Sequence, residues 1–276
     1  MQEWLLEFEQ VYYTYPGVKQ PALNGLTLRI PVNQRCALIG LNGCGKTTLF
    51  LLANGLYKPQ KGKILWKGNP LKYDRNSLIQ LRQKVGLIFQ DPEQQLVAST
   101  VEEDISYGLC NLGLPDAEIQ HKVEQALEEF GLTELAERPV HHLSLGQKKR
   151  VSIADVMVLQ PELLLLDEPT AYLDTLHTRN LIATLKKIHA SGTTTLMATH
   201  DLDLVYRWAD WIFVMDKGQL ILEGKPQDVF ARQDILEELQ LGVPLICELL
   251  FANGLLEEEP ALEQLRQRIL KSFRYL

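Results

Sequence analysis

The sequence lacks the features of a membrane-spanning protein and of a disulfide-stabilised secreted protein. In its 276 residues, no apolar run approaches the roughly 18 residues that a transmembrane helix needs. Residues 1–4 do not begin a basic region followed by a hydrophobic stretch, so no signal peptide is expected. Cysteine is scarce and forms no Cys-x-x-Cys pair, which indicates reduced thiols in a cytosolic protein. The four cysteines are Cys36, Cys44, Cys110 and Cys247.

The sequence also lacks an excess of basic residues. It has 28 lysines and arginines against 35 acidic residues, a net charge of −7. Proteins that bind the nucleic-acid backbone usually show a basic footprint, so no nucleic-acid partner is expected. Hydrophobic residues make up 46% and charged residues 23%, which is ordinary for a globular protein of one large domain or two smaller ones.

Short apolar runs alternate with helical patterns along most of the chain, which predicts an α/β fold with a largely parallel sheet. The expected strands cover residues 11–15, 26–30, 35–39, 85–89, 163–166, 194–198 and 211–215. Residues 101–158 contain no convincing strand, and Val123, Leu127, Phe130 and Leu132 recur at helical spacing. This middle segment is therefore predicted to be a helical insertion. Beyond Gly224, residues 226–241 and 261–275 are predicted to be helical.

A glycine-rich segment at residues 40–47 fits the pattern GxxxxGK[ST], between a predicted strand and a helix that begins near Lys46. Glycines allow the backbone to wrap around a phosphate, and the helix N-terminus favours negative charge. Lys46 would reach the β- and γ-phosphates, and the Thr47 hydroxyl would bind Mg²⁺. The predicted nucleotide contacts of this segment are Gly40, Asn42, Gly43, Cys44, Gly45, Lys46, Thr47 and Thr48.

Two acidic residues, Asp167 and Glu168, follow four consecutive leucines. Ligands bind at the C-terminal ends of strands in open parallel sheets. Asp167 is therefore expected to hold Mg²⁺, and Glu168 to polarise the attacking water.

Further motifs resemble those of the ABC-type ATPases, in the same order along the chain. Residues 142–150, HLSLGQKKR, resemble the LSGGQ signature, and residues 171–174 look like the D-loop. The resemblance implies that Tyr15 stacks on adenine, that Gln90 is the Q-loop glutamine and a Mg²⁺ ligand, and that His200 is the switch histidine. It implies ATP as the nucleotide and a catalytic set of Lys46, Gln90, Glu168 and His200. The implied fold is a P-loop core with a mostly parallel sheet, an antiparallel β subdomain, a helical insertion and a C-terminal helical extension.

A finer resemblance is to the ATPases of energy-coupling factor importers. It rests on residues 89–95 (FQDPEQQ), 100–104 and 111–113, and within these importers the chain is most similar to the cobalt-import ATPases of the CbiO type. The resemblance implies import of cobalt or nickel ions. The implied partners are a membrane scaffold, a substrate-binding membrane subunit and a second ATPase subunit, identical or a paralogue. The implied location is the cytoplasmic face of the cell membrane, as a peripheral subunit.

The same resemblance divides the chain into an ATPase domain and a C-terminal extension. The ATPase domain covers residues 1–225, with the helical subdomain at about 95–160. Residues 226–276 form the extension, which helps the ATPases pair in some members. In the family, Ser144, Gly146 and Gln147 of one subunit close over the nucleotide of another.

Three positions leave alternatives open. Leu145 replaces a glycine of the signature, which is tolerable if its φ is negative. Tyr172 replaces the glycine common in the D-loop. Cys44 is either an inert thiol in place of a small residue or a reactive thiol whose pKa is lowered by Lys46 and nearby N–H groups.

Other functional classes fit the motifs less well. A soluble ABC-type ATPase acting on DNA or ribosomes typically carries a long coiled coil or a second nucleotide domain, and the sequence shows neither. A small-molecule kinase with the same phosphate loop has no reason to contain residues 142–150. A regulator that never hydrolyses ATP does not need Glu168 and His200.

Overall fold

The computed structural model describes residues 3–252, which form two sheets and the helices that pack on them. The strands are β1 Trp4–Tyr13, β2 Leu23–Pro31, β3 Arg35–Ile39, β4 Lys61–Trp66, β5 Asn69–Pro70, β6 Val85–Ile88, β7 Leu163–Asp167, β8 Thr194–Ala198, β9 Trp211–Asp216 and β10 Gln219–Gly224. The helices are α1 Lys46–Ala53, α2 Arg75–Lys84, α3 Val101–Asn111, α4 Asp116–Glu129, α5 Leu145–Met157, α6 Thr175–Ala190, α7 Leu202–Trp208, α8 Pro226–Phe230, α9 Gln233–Glu238 and α10 Leu245–Ala252. None of the helices within residues 3–252 is long and apolar enough to cross a membrane.

The larger sheet has the order β10-β9-β3-β8-β7-β6, and every neighbouring pair except β10–β9 is parallel. Strands β7 and β8 are buried along their whole length because layers pack on both faces of this sheet. In β7, Leu163 and Leu165 pack in one hydrophobic cluster, whereas Leu164 and Leu166 pack in the other. The C-terminal ends of β3, β7 and β8 meet at one edge, where Lys46, Asp167, Glu168 and His200 lie.

The second sheet is antiparallel, with the order β2-β1-β4-β5, and it covers one face of the larger sheet together with α1. The helical insertion, α3 to α5, lies between β6 and β7 in the chain and packs in the cluster on the other face. These features confirm the predicted fold class: a mostly parallel sheet, an antiparallel β subdomain and a helical insertion.

Several predicted boundaries were wrong. The strand predicted at residues 11–15 begins earlier and ends at Tyr13, and β4, β5 and β10 were not predicted. The hairpins β4–β5 and β9–β10 each turn at a Lys-Gly pair whose φ angles are positive, at Lys67 and Lys217. Two-residue hairpin turns are usually recognised in a sequence by Asn-Gly or Asp-Gly. A lysine with positive φ is uncommon, so these two turns were not predicted.

The helix predicted at residues 226–241 is divided into α8 and α9. Arg232, between them, has a ψ of 60°, outside the helical range, and its guanidinium pairs with Asp234. Val229, Phe230 and Leu236 are fully buried in the same cluster as the helical insertion. The predicted helix at residues 261–275 lies outside the described residues. The division into domains 1–225 and 226–276 stays a prediction.

Candidate nucleotide-binding and catalytic site

The glycine-rich segment forms a loop between β3 and α1, as the sequence predicts. Gly45, the residue before α1, has a φ of 111°, and a Cβ there would lie 2.5 Å from the carbonyl oxygen of Ala22. A Cβ on Gly40 would lie 2.3 Å from the carbonyl oxygen of Met215. These two glycines are therefore required by close backbone contacts. Asn42 and Gly43 lie exposed at the tip of the loop.

Lys46 lies inside this loop and is only 8% exposed. Its ammonium donates hydrogen bonds to the carbonyl oxygens of Gly40, at 2.7 Å, and Leu41, at 3.1 Å. Thr48, two residues into α1, is buried, and its hydroxyl is 3.1 Å from the Tyr15 hydroxyl. The Tyr15 ring stands edge-on to Tyr13 and Tyr57. The aromatic side chain predicted to contact adenine thus lies beside the phosphate loop.

Thr47 and Asp167, the hydroxyl and carboxylate predicted to bind Mg²⁺, are in direct contact. The Thr47 hydroxyl donates to Asp167 Oδ2 at 2.7 Å. Burial raises the pKa of Asp167, and the Thr47 hydrogen bond opposes that rise. A hydroxyl and a single carboxylate are hard oxygen ligands that suit Mg²⁺, which is usually bound by one or two carboxylates together with substrate phosphates. Residues 3–252 contain no cluster of three or more His, Cys, Asp or Glu side chains that could hold a metal ion.

Glu168 follows β7 in a strained backbone conformation, with a φ of 44°. The side chain is mostly buried, and its Oε2 accepts a hydrogen bond from Nδ1 of His200 at 3.0 Å. His200 follows β8 and is itself 78% exposed. The backbone N–H of Glu168 donates to the carbonyl oxygen of Ala198 at 2.9 Å, which also holds this backbone in place. Left-handed backbone at a non-glycine residue is unfavourable, and it concentrates where the surrounding contacts fix a functional group.

Gln90 lies just beyond β6, next to the end of β7. The carbonyl oxygen of Gln90 accepts a hydrogen bond from the ammonium of Lys149 at 3.1 Å. Lys149 is 4% exposed, and burial lowers its pKa to about 8, against the opposing effect of three nearby carboxylates. Sequence analysis missed Lys149 because it stands in a basic run. A periodicity signal was available, since Ser152 and Ile153 follow at helical spacing and lie on the same buried face.

The signature residues form the N-terminus of α5. Ser144 is the N-cap, and it exchanges hydrogen bonds with Gln147 in a capping box. A Cβ on Gly146 would lie 2.5 Å from the His177 ring, which explains the glycine there. Ser144 and Gln147 thus cap each other at the start of α5.

The two departures from the family pattern differ in consequence. Leu145 is the first residue of α5, where φ is negative, so a side chain is accommodated without strain. Tyr172 has a φ of 63° and is 81% exposed, so it adopts the left-handed conformation in which a glycine is preferred.

The thiol of Cys44 is not activated. It is 4% exposed, and burial raises its pKa even though the Lys46 ammonium lies 3.9 Å from Sγ. Of the two alternatives for Cys44, the structure supports the inert thiol and contradicts the lowered pKa.

Comparison with known proteins gives similarities that extend well beyond the phosphate loop. The ABC transporter family model matches residues 23–171. A protein of Nostoc sp. (strain PCC 7120) named as an ABC transporter ATP-binding protein is 70% identical over 273 residues, 99% of this chain and 100% of its own length. The energy-coupling factor transporter ATP-binding protein EcfA of Methanocaldococcus jannaschii is 40% identical over 247 residues, 90% of this chain and 88% of its own. The solved structure of CbiO1 from Clostridium perfringens, part of the ABC transporter complex cbiONQ, matches with a TM-score of 0.76 and 40% identity, covering 90% of this chain and 99% of that one.

Proposed function

The chain belongs to the ABC transporter family of ATPases, and we propose that it energises an importer of the energy-coupling factor type, with cobalt or nickel ions as the cargo. The observation that supports ATP hydrolysis is a pair of contacts beside the phosphate loop. Thr47 contacts Asp167, and Glu168 contacts His200. The cargo assignment rests on the sequence resemblance to cobalt-import ATPases. It is supported by the 40% identity to CbiO1.

In the proposed reaction, the phosphate loop and Lys46 bind the β- and γ-phosphates of ATP. Thr47, Asp167 and Gln90 would hold Mg²⁺, which neutralises phosphate charge when it is bound. Glu168 orients a water molecule and accepts its proton as the water oxygen attacks the γ-phosphorus. The bond to the bridging oxygen of ADP then breaks, and phosphate leaves. His200 holds the Glu168 carboxylate in place through the hydrogen bond from Nδ1.

We further propose that a second ATPase subunit completes the site. The Ser144 hydroxyl and the N–H of Gly146 lie at the N-terminus of α5, which favours negative charge. They would contact the γ-phosphate bound to the partner subunit, so ATP would join the two subunits and hydrolysis would release them.

The proposed contact with the membrane scaffold is the segment 90–95. Asp91 and Glu93 are exposed, whereas Pro92 between them is buried and begins a short 3-10 helix. A stiff acidic segment is suited to receive a basic helix end from a partner. Binding there would place the chain at the cytoplasmic face of the cell membrane, as a peripheral subunit.

Glu168→Gln tests the hydrolytic role, because it keeps the shape of the side chain and removes its charge. We expect the variant to bind ATP nearly as well as wild type, to hydrolyse it at least about tenfold more slowly, and to accumulate as an ATP-bound dimer. Turnover at the wild-type rate would refute the assignment.

Metal uptake tests the cargo. Cells of the native host that carry only the Glu168→Gln chain should take up labelled cobalt or nickel at the rate of a deletion strain, while uptake of labelled vitamins is unchanged. The cargo assignment fails if both ions enter at the wild-type rate.

A further inference from the structure

Strands β6 and β7 stop pairing just before the two residues that are proposed to act on ATP. Their parallel register pairs Ile88 with Leu166, the last partners in the ladder. Gln90 and Glu168 each lie two residues beyond, where the ladder hydrogen bonds no longer hold the strands together. A different contact must therefore fix the distance between these two backbone segments.

Lys149 of α5 supplies that contact. Its ammonium donates to the carbonyl oxygen of Gln90 at 3.1 Å and lies 3.4 Å from the carbonyl oxygen of Glu168. The second oxygen also accepts the N–H of Ala171 at 3.0 Å. Within residues 3–252 both of these acceptors are backbone oxygens, so Lys149 does not occupy the side chains of Gln90 and Glu168.

The contact matters most at Glu168, whose positive φ is maintained by its surroundings. The Glu168 N–H is held by Ala198 and its carboxylate by His200. Its carbonyl oxygen is held by Ala171 and Lys149. Removing a buried charged donor leaves this oxygen with one partner fewer and frees the Gln90 segment to move.

We propose that Lys149 is a positioning residue that holds Gln90 and Glu168 in their hydrolytic arrangement. This inference rests on the hydrolytic role proposed for Glu168. In this role Lys149 does not contact ATP. Loss of its ammonium should therefore slow turnover and leave nucleotide affinity nearly unchanged.

Lys149→Met in the full-length chain is the direct test. We expect kcat to fall at least about tenfold, because small misplacements of catalytic groups have effects of this size, and ATP affinity to stay within about threefold. Lys149→Arg keeps a charged donor and should restore kcat to within about threefold of wild type. Arg82→Met is the matched control, because Arg82 of α2 also donates to a backbone oxygen, that of Gly55, beyond the C-terminal end of α1 and away from the signature segment. Its kcat should stay within about twofold of wild type.

A double-mutant cycle separates this inference from the proposed function. If Lys149 acts through Glu168, then Lys149→Met should slow a Glu168→Gln chain by no more than about twofold. The inference is overturned if the double variant loses kcat by the product of the two single losses. It is also overturned if the kcat of Lys149→Met is within twofold of wild type. Wild-type turnover of Glu168→Gln alone overturns the proposed role of Glu168, and the inference with it. If Lys149→Met does not fold, Lys149→Gln, which removes the charge and keeps a donor, is measured under the same criteria.

Discussion

Asp155 lies on α5 in a buried polar cluster, and its neutralisation should stabilise the protein above neutral pH. The side-chain amide of Gln95 donates to Asp155 Oδ2 at 3.2 Å and to the carbonyl oxygen of Ser152 at 2.8 Å. Asp104, a second buried carboxylate in this cluster, accepts the N–H groups of Val97 and Ala98. Burial raises the pKa of Asp155 from 3.8 to about 7, and the charge of Asp104 adds to the rise.

The raised pKa fixes the direction of the pH dependence. Well below pH 3.8 the carboxyl of Asp155 is protonated in both the folded and the unfolded chain, so its titration does not change the free energy of unfolding. Between pH 4 and 7 the unfolded chain releases this proton more readily than the folded one, so stability falls as pH rises. A pKa of about 7 against 3.8 corresponds to about 4 kcal/mol above pH 7. Because solvent reaches part of this side chain, we expect about half of that, ~2 kcal/mol.

Asp155→Asn removes the charge and keeps the acceptor for Gln95. At pH 8 its Tm should exceed that of wild type by about 4–8 °C, since 1 kcal/mol shifts a chain of this size by about 2–4 °C. At pH 4, close to the pKa of the unfolded carboxyl, the difference should shrink to about 1–2 °C. Asp116→Asn, an exposed carboxylate on α4, is the control and should bring no gain. An equal gain at both pH values, or none at pH 8, would refute the reasoning.

Three further predictions follow from other parts of the structure. Tyr172→Gly should raise the free energy of unfolding by about 1 kcal/mol in chemical denaturation, because φ is 63° and the exposed ring loses little packing; a loss of stability would contradict this. Maleimide should label the exposed Cys110 long before the buried Cys44, as peptide mass spectrometry would show, and ATPase activity should survive; early labelling of Cys44 would argue otherwise. Reversing the charge of Asp91 and Glu93 should weaken co-purification with the membrane scaffold. Because Glu93 pairs with Lys148 within the chain, the swap Glu93→Lys with Lys148→Glu keeps that ion pair, and normal assembly of the swap variant would exclude Glu93 from the contact.

The fold could be predicted where burial is complete. Residues 163–166 are four leucines with strand neighbours on both sides, so their apolar run has no competing interpretation. The two hairpins were not predicted because each turns at a lysine with positive φ, Lys67 or Lys217, followed by a glycine. Lysine is an unusual residue in that conformation. The division of residues 226–241 was missed because the helical pattern continues through Arg232, whose ψ departs from helical values.

The site residues could be predicted where they are neighbours in the sequence. The phosphate loop and the Asp167-Glu168 pair are local patterns, and the structure places both at the same edge of the sheet. Lys149 could not be assigned in this way, because its role depends on where β6 and β7 stop pairing. The positive φ of Glu168 could not be predicted either, because the hydrogen bonds that hold this residue come from Ala198 and Lys149, which are distant in the sequence.

In the proposed dimer, helix α5 would lie between two nucleotide sites. Its N-cap, Ser144, would contact nucleotide held by the partner subunit, whereas Lys149 contacts the backbone beside the chain's own nucleotide. Five residues of α-helix separate them, a rise of about 7.5 Å along a rigid element. A displacement of Ser144 on hydrolysis in the partner site would therefore move Lys149, and with it the backbone of Gln90 and Glu168. In the proposed dimer, the loss of kcat expected for Lys149→Met and a coupling between the two nucleotide sites would therefore have the same physical origin.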